Sequence, residues 1–169
     1  MKGDEKKQLI LKAAVDLVAK RGVTNFSVNN VIKEANISKG GFIYHFSSKE
    51  DLIKELQEYT IDFSKRLIEQ ERGNYKTFTE TFIRACLKGF NSEEMKAYSF
   101  LVSEYKHQEW DHYYKEIFEE IAQETSKEFA NLVVLTTDGF WFRGGEYTSK
   151  EIELSFQKLI DHIDQELAN

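Results

Sequence analysis

Residues 37–52 read ISKGGFIYHFSSKEDL and hold side chains suited to meeting a nucleic acid. Ser38 brings a hydroxyl, Lys39 a cation, and Tyr44 and His45 rings with polar atoms, all around the adjacent Gly40 and Gly41. A glycine inside a helix costs about 1 kcal/mol relative to alanine, so the pair needs a reason. Without side chains at these positions a helix presses close to a duplex. Lys39 then reaches a base edge in the major groove, where guanine is its favoured target. Exposed amides at the start of such a helix attract phosphate.

Other reactive combinations are missing from the sequence. His45, His107, His112 and His162 form no HExxH pattern. His107 and His112 are five apart, a poor fit to one helical face, which argues against a metal. Neither a G-x-S-x-G motif nor a P-loop occurs. Cys86 is the single cysteine, so no intrachain disulfide is possible, and it reads as a small core residue. No catalytic group, metal or cofactor is expected.

The elements that must position the glycine pair are helical. The chain of 169 residues has no proline, and 41% of its residues are hydrophobic, enough to argue against disorder. No stretch approaches the ~18 apolar residues of a membrane span. The charged N-terminus lacks a signal-peptide pattern, so the expected location is cytoplasmic. A net charge of −6 hides an asymmetry. Residues 1–49 carry nine Lys or Arg against four Asp or Glu, and the rest carries 14 against 25. A basic first third and an acidic body imply different partners.

Periodicity and cap residues place the helices. Ile10, Ala14, Leu17 and Val18 share a face of a first helix that closes at Gly22. Ser27 caps a short second helix, Val28 to Ala35, and Asn36 suits a left-handed turn. Ser38 caps a third helix ending near Tyr44. Ser47 with Glu50 reads as a capping box for a long fourth helix ending near Gly73. A fifth helix carries Tyr75, Phe78, Phe82 and Cys86. Asn91 with Glu94 precedes a sixth, a seventh starts near Trp110, and an eighth runs from Phe129 to Phe142 before Gly144 and Gly145. Thr148 with Glu151 opens the last helix. The second and third helices thus form a helix–turn–helix.

The stretch ILKAAVDLVAKRGVTNFSVNNVIKEANISKGGFIYHFSSKEDL resembles the N-terminal domain of TetR-type transcriptional repressors, over about residues 8–56. That resemblance implies an all-α homodimer: a three-helix DNA-binding domain at residues 1–47 and a helical effector-binding and dimerisation domain at 48–169. It implies DNA contacts at Ser27, Asn29, Ser38, Lys39, Gly40, Gly41, Tyr44, His45 and Lys49. Two positions depart from the family pattern, Asn36 for the usual glycine and Ile43 for the usual tyrosine. Lys49 at a helix start opposes the dipole, and a phosphate partner would explain it.

The resemblance further implies a cavity for a small hydrophobic effector. Its candidate lining is Phe82, Tyr98, Trp110, Tyr113, Asp138 and Trp141, with a neutral or cationic compound favoured over an anion. Leu132, Leu135, Phe156, Leu159 and Ile163 on the last two helices are the candidate dimer seam. The expected function is a ligand-released repressor bound to double-stranded operator DNA, with no membrane partner. A helical carrier or enzyme acting on hydrophobic small molecules, and a protein–protein adaptor, are the alternatives.

Overall fold

The computed structural model describes residues 3–21, 26–90, 92–104, 108–143 and 146–167. Among them the regular structure is helical: α1 (Gly3–Arg21), α2 (Val28–Glu34), α3 (Lys39–His45), α4 (Lys49–Glu71), α5 (Phe78–Gly89), α6 (Glu93–Glu104), α7 (Gln108–Glu124), α8 (Lys127–Arg143) and α9 (Ser149–Glu166). Gly22, Asn91, His107, Gly144 and Gly145 lie outside the described residues.

The chain packs as two units. The first is residues 1–62 with 92–107, and the second is 63–91 with 108–169, so the division falls inside α4. This packing division differs from the boundary between residues 47 and 48 that the resemblance implies.

In the first unit, Asp4 and Glu5 open α1, where carboxylates suit the positive end of the dipole. The expected face of α1 (Ile10, Ala14, Leu17 and Val18) is buried with Val31, Ala35, Phe42 and Phe46. The rings of Phe42 and Phe46 lie 5.6 Å apart. Between α2 and α3 the chain reverses at Asn36, whose φ of 51° is left-handed. Asparagine tolerates that region better than most non-glycine residues.

Helix α6 packs along α1. Lys12 on α1 meets Glu94 at 3.0 Å, Asp16 at 3.2 Å and Glu93 at 3.6 Å. Partial burial works against the Lys12 charge, yet its bonds to Glu94 and Asp16 outweigh this and hold the ammonium above its ordinary range. Phe26 packs edge-on to Phe100, with centroids 6.3 Å apart.

Several caps differ from expectation. Helix α4 is capped one residue later: Ser48 Oγ accepts from the Asp51 amide at 3.0 Å, and Asp51 reaches back to the Ser47 amide at 2.9 Å. Helix α5 starts after Tyr75, with Thr77 as cap. Ser92 caps α6, accepting from the Met95 amide at 3.2 Å.

In the second unit, α5 packs on α7 and α9, and α7 on α8. Glu124, on the last turn of α7, accepts from the amides of Phe78 at 2.7 Å and Thr79 at 2.8 Å and from the Thr79 hydroxyl at 2.7 Å. One carboxylate thereby serves two amide donors that the first turn of α5 cannot pair within its own helix. The capping box of Thr148 and Glu151 forms as expected, both bonds present.

Candidate nucleic-acid interface

Helix α3 has two faces of opposite character. Phe42 and its C-cap Phe46 are buried, while Lys39, Gly40, Ile43 and Tyr44 are exposed. Residues three and four apart share a helical face, so the exposed set forms one surface. A Cβ built at Gly40 meets nothing within 4 Å. The fold therefore does not require glycine there. At Gly41 a Cβ would come 3.2 Å from Ser38 Oγ and 3.4 Å from Lys6 Nζ, so this glycine also makes room for the helix cap.

The two cap serines are exposed. Ser27 Oγ accepts from the Asn30 amide at 3.2 Å and Ser38 Oγ from the Gly41 amide at 3.0 Å. A hydroxyl that accepts from its own helix still has an O–H to donate, which suits it to a phosphate oxygen. Asn29 is exposed on the first turn of α2. Tyr44 is 82% exposed, and its ring meets the half-buried His45 edge-on at 4.9 Å.

Lys49 has an intrachain reason for its place. Its Nζ sits 5.4 Å from the centre of the Phe26 ring, an attraction worth about 0.5–1 kcal/mol at an exposed site. A phosphate is thus not needed to explain a lysine at the start of α4. Lys6 escaped the sequence reading, and Ile43 entered it only as a departure from the family pattern. Lys6 brings its ammonium to the start of α3, and Ile43 points an apolar side chain into solvent. Lys6 could have been found only as part of the basic excess before residue 49.

The effector candidates divide. Tyr98 is buried in the first unit, and the other five belong to the second. There the Trp110 ring packs on Tyr113 at 5.5 Å and Tyr114 at 5.6 Å, Trp141 stacks on Phe90 at 5.7 Å, and Phe82 stacks on Phe78 at 6.4 Å. Tyr113 hydroxyl and Ser64 Oγ are 2.9 Å apart. Asp138 is half-buried, and its Oδ1 is enclosed with no hydrogen-bond partner among the described residues. Burial lifts its carboxyl above the ordinary range, against a hydrogen bond with Tyr114 that lowers it. Burial, and then the field of Asp138, push the Cys86 thiol up, which leaves it unreactive.

A cavity of about 250 Å³ opens in the second unit. Ile68, Phe78, Tyr113 and Ile117 line it together with the charged Lys65, Glu69, Arg72, Glu116 and Glu120. Of the six effector candidates it takes in Tyr113 and not the others. Burial raises the Glu120 carboxyl above its ordinary range.

The seam candidates divide as well. Leu132 and Leu135 are 51% and 70% exposed. Phe156, Leu159 and Ile163 are 1%, 7% and 4% exposed and fill the core of their own unit. An amphipathic face shows that a residue is buried but not against what, and here α9 turns that face to its own chain. Leu132, Leu135, Gly139 and Phe142 are spaced by three, four and three on α8, and all four are exposed. No helix among the described residues is long and apolar enough to cross a membrane.

Residues 10–56 match the family model for bacterial regulatory proteins of the tetR family. Over 61 residues the chain is 41% identical to YerO of Bacillus subtilis (strain 168), an uncharacterized HTH-type transcriptional regulator. That match covers 36% of this chain and 21% of YerO, so the chain spans about a fifth of that relative. The fold is similar to that of SCO4454, a TetR-family transcriptional regulator from Streptomyces coelicolor, at a TM-score of 0.81 and 17% identity over 98% of this chain and 97% of the other. It is also similar to the multidrug binding protein EbrR complexed with malachite green, at a TM-score of 0.67 and 18% identity over 92% and 98% of the two chains.

Proposed function

We propose that this chain, which carries at residues 10–56 the N-terminal domain of the tetR family of bacterial regulatory proteins, is a ligand-responsive repressor acting as a homodimer on operator DNA. The observation that carries the reading is Gly40. Its missing side chain serves no contact within the protein, and it lies between exposed residues that suit a base edge and a phosphate. Residues 1–47 are the DNA-binding part and 48–169 the effector-binding and dimerising part. Ser27, Asn29, Ser38, Tyr44, His45 and Lys49 hold the duplex backbone, and Lys39 reads a base. The reading gives the chain no catalytic role and places it in the cytoplasm with its DNA.

Lys49→Ala tests the backbone contacts. It is expected to weaken binding to every duplex sequence and to flatten the logarithmic salt dependence by about one unit. An unchanged salt slope would leave Lys49 to its Phe26 contact alone.

The dimer forms through the exposed face of α8, Leu132, Leu135 and Phe142, with Gly139 allowing close approach. A two-fold pair matches a pseudo-palindromic operator. The effector binds the second unit, with Asp138 and the rings of Phe82, Trp110, Tyr113 and Trp141 as candidate recognition groups, and favours a form whose two heads no longer fit the operator. This requires different affinities for the two forms. Malachite green, an aromatic cation bound by EbrR, is a suitable first probe, because a half-buried carboxylate whose Oδ1 is enclosed without a partner among the described residues favours a cation.

Asp138→Asn is expected to act in two opposite ways. Burial raises the folded carboxyl above its ordinary value of 3.8, so its contribution to stability is full below that value and is lost as pH rises through the folded pKa. The variant should therefore melt higher than the native chain near neutral pH, and the difference should vanish in acid. It should bind a cationic effector about tenfold or more weaker, as expected when a charged hydrogen-bond partner worth ~1.5–3 kcal/mol is lost. Fluorescence of Trp110 and Trp141, followed with operator release, reads the second effect. Unaltered cation binding would move the site away from Asp138.

A further inference from the structure

We infer that Ile43 reads the methyl group of a thymine in each operator half-site and is a specificity-determining residue. The inference rests on the DNA-binding reading above.

Ile43 is 56% exposed and its neighbour Tyr44 is 82% exposed. Among the described residues of the first unit they are the most exposed large hydrophobic side chains. Folding gains little from isoleucine at such a place. Its β-branch makes it a weaker helix former than an unbranched residue, and its apolar surface stays in water. The inner face of α3 is already filled by Phe42, with Phe46 at its C-cap. The side chain is therefore available for an external contact.

The chemistry of the major groove narrows that contact. Base edges there present nitrogen and oxygen donors and acceptors, and the one apolar group among them is the thymine C5-methyl. An isoleucine in a helix is held largely to one χ1 rotamer, so its methyl groups are fixed before DNA arrives. Gly40 precedes Ile43 by three residues on the same face, and the space above it is open for 4 Å. A side chain at 40 would stand between Ile43 and the groove. Lys39 precedes Ile43 by four and reaches for guanine. Each half-site then carries a guanine and, close to it, a thymine whose methyl group meets Ile43.

The test begins with the 169-residue chain and a pool of random-sequence duplexes, from which the tightest binder is recovered. That duplex is resynthesised with each thymidine replaced in turn by deoxyuridine, which removes only the methyl group. One position per half-site is expected to weaken native binding about fourfold, the worth of one buried methyl group. The same replacement should leave the affinity of Ile43→Ala unchanged, and Ile43→Val should fall between. Circular dichroism melts are expected to coincide for all three proteins, since the side chain is exposed. Should Ile43→Ala melt early, Ile43→Val carries the comparison with a smaller coupling. A chain that binds its selected duplex but shows no methyl effect dependent on residue 43 overturns this inference alone. A chain that recovers no duplex overturns the DNA-binding reading and the inference with it.

Discussion

Gly40→Leu is expected to melt at the native temperature or a few degrees above it, and to bind operator about a hundredfold or more weaker. The two halves of this result have separate causes. Leucine is a better helix former than glycine by up to about 1 kcal/mol, and a Cβ at position 40 meets no protein atom within 4 Å. In a protein of this size 1 kcal/mol corresponds to roughly 2–4 °C. In the proposed docking the bulk of the new side chain lies where the duplex comes, so it should lift α3 from the groove and take Lys39 with it. A good base contact is worth about 1–3 kcal/mol, and a two-fold site loses two of them. A variant that melts early would mean that the glycine serves the fold. One that melts normally and binds like the native chain would remove α3 from the interface. Gly41→Ala is a useful contrast, because its Cβ would crowd Ser38 Oγ at 3.2 Å and disturb the cap.

Leu132→Glu combined with Leu135→Glu is expected to separate the proposed dimer while leaving both units folded. The two leucines are 51% and 70% exposed, so neither carboxylate enters the core of its own unit. A lasting interface buries more than ~1,000 Å², and four carboxylates brought together across a two-fold axis would oppose it. The native chain should sediment as a dimer at micromolar concentration and the double variant as a monomer. A monomer loses the linkage between half-sites, which is worth roughly 10²–10⁴ in apparent affinity. Phe156→Glu gives the contrast: at 1% exposure it should destabilise the second unit by about 3–5 kcal/mol, as truncations of buried phenylalanine do. A double variant that remains dimeric would place the seam elsewhere.

Local signals were the most legible in the sequence. The Thr148–Glu151 box, the Ser27 and Ser38 caps and the left-handed Asn36 all depend on neighbours within four residues, and all stand as read. The α4 cap slipped by one because SSKED supplies two serines and two acids, and either register satisfies the pattern. Features that depend on distant partners were not legible. Lys49 meets Phe26 across 23 positions, and Lys12 meets Glu94 across 82. The second pairing belongs to the packing of α6 on α1, which sets Tyr98 in the first unit rather than with the other aromatic candidates. Ile43 was noted only as a departure from the family pattern and not as an exposed apolar side chain, for a related reason. In a seven-residue helix with Phe42 beside it, periodicity does not tell an outward apolar side chain from an inward one. Buried faces have the same weakness, as Phe156, Leu159 and Ile163 illustrate.

The most direct test of the central claim is fluorescence anisotropy with two duplexes of equal length, one selected by the chain and one scrambled, at two salt concentrations. The native chain is expected to prefer the selected duplex by about 10³-fold or more, with affinity for both falling as salt rises. Gly40→Leu should lose the preference. Equal affinity of the native chain for the two duplexes, or an unaltered preference in Gly40→Leu, would contradict the account.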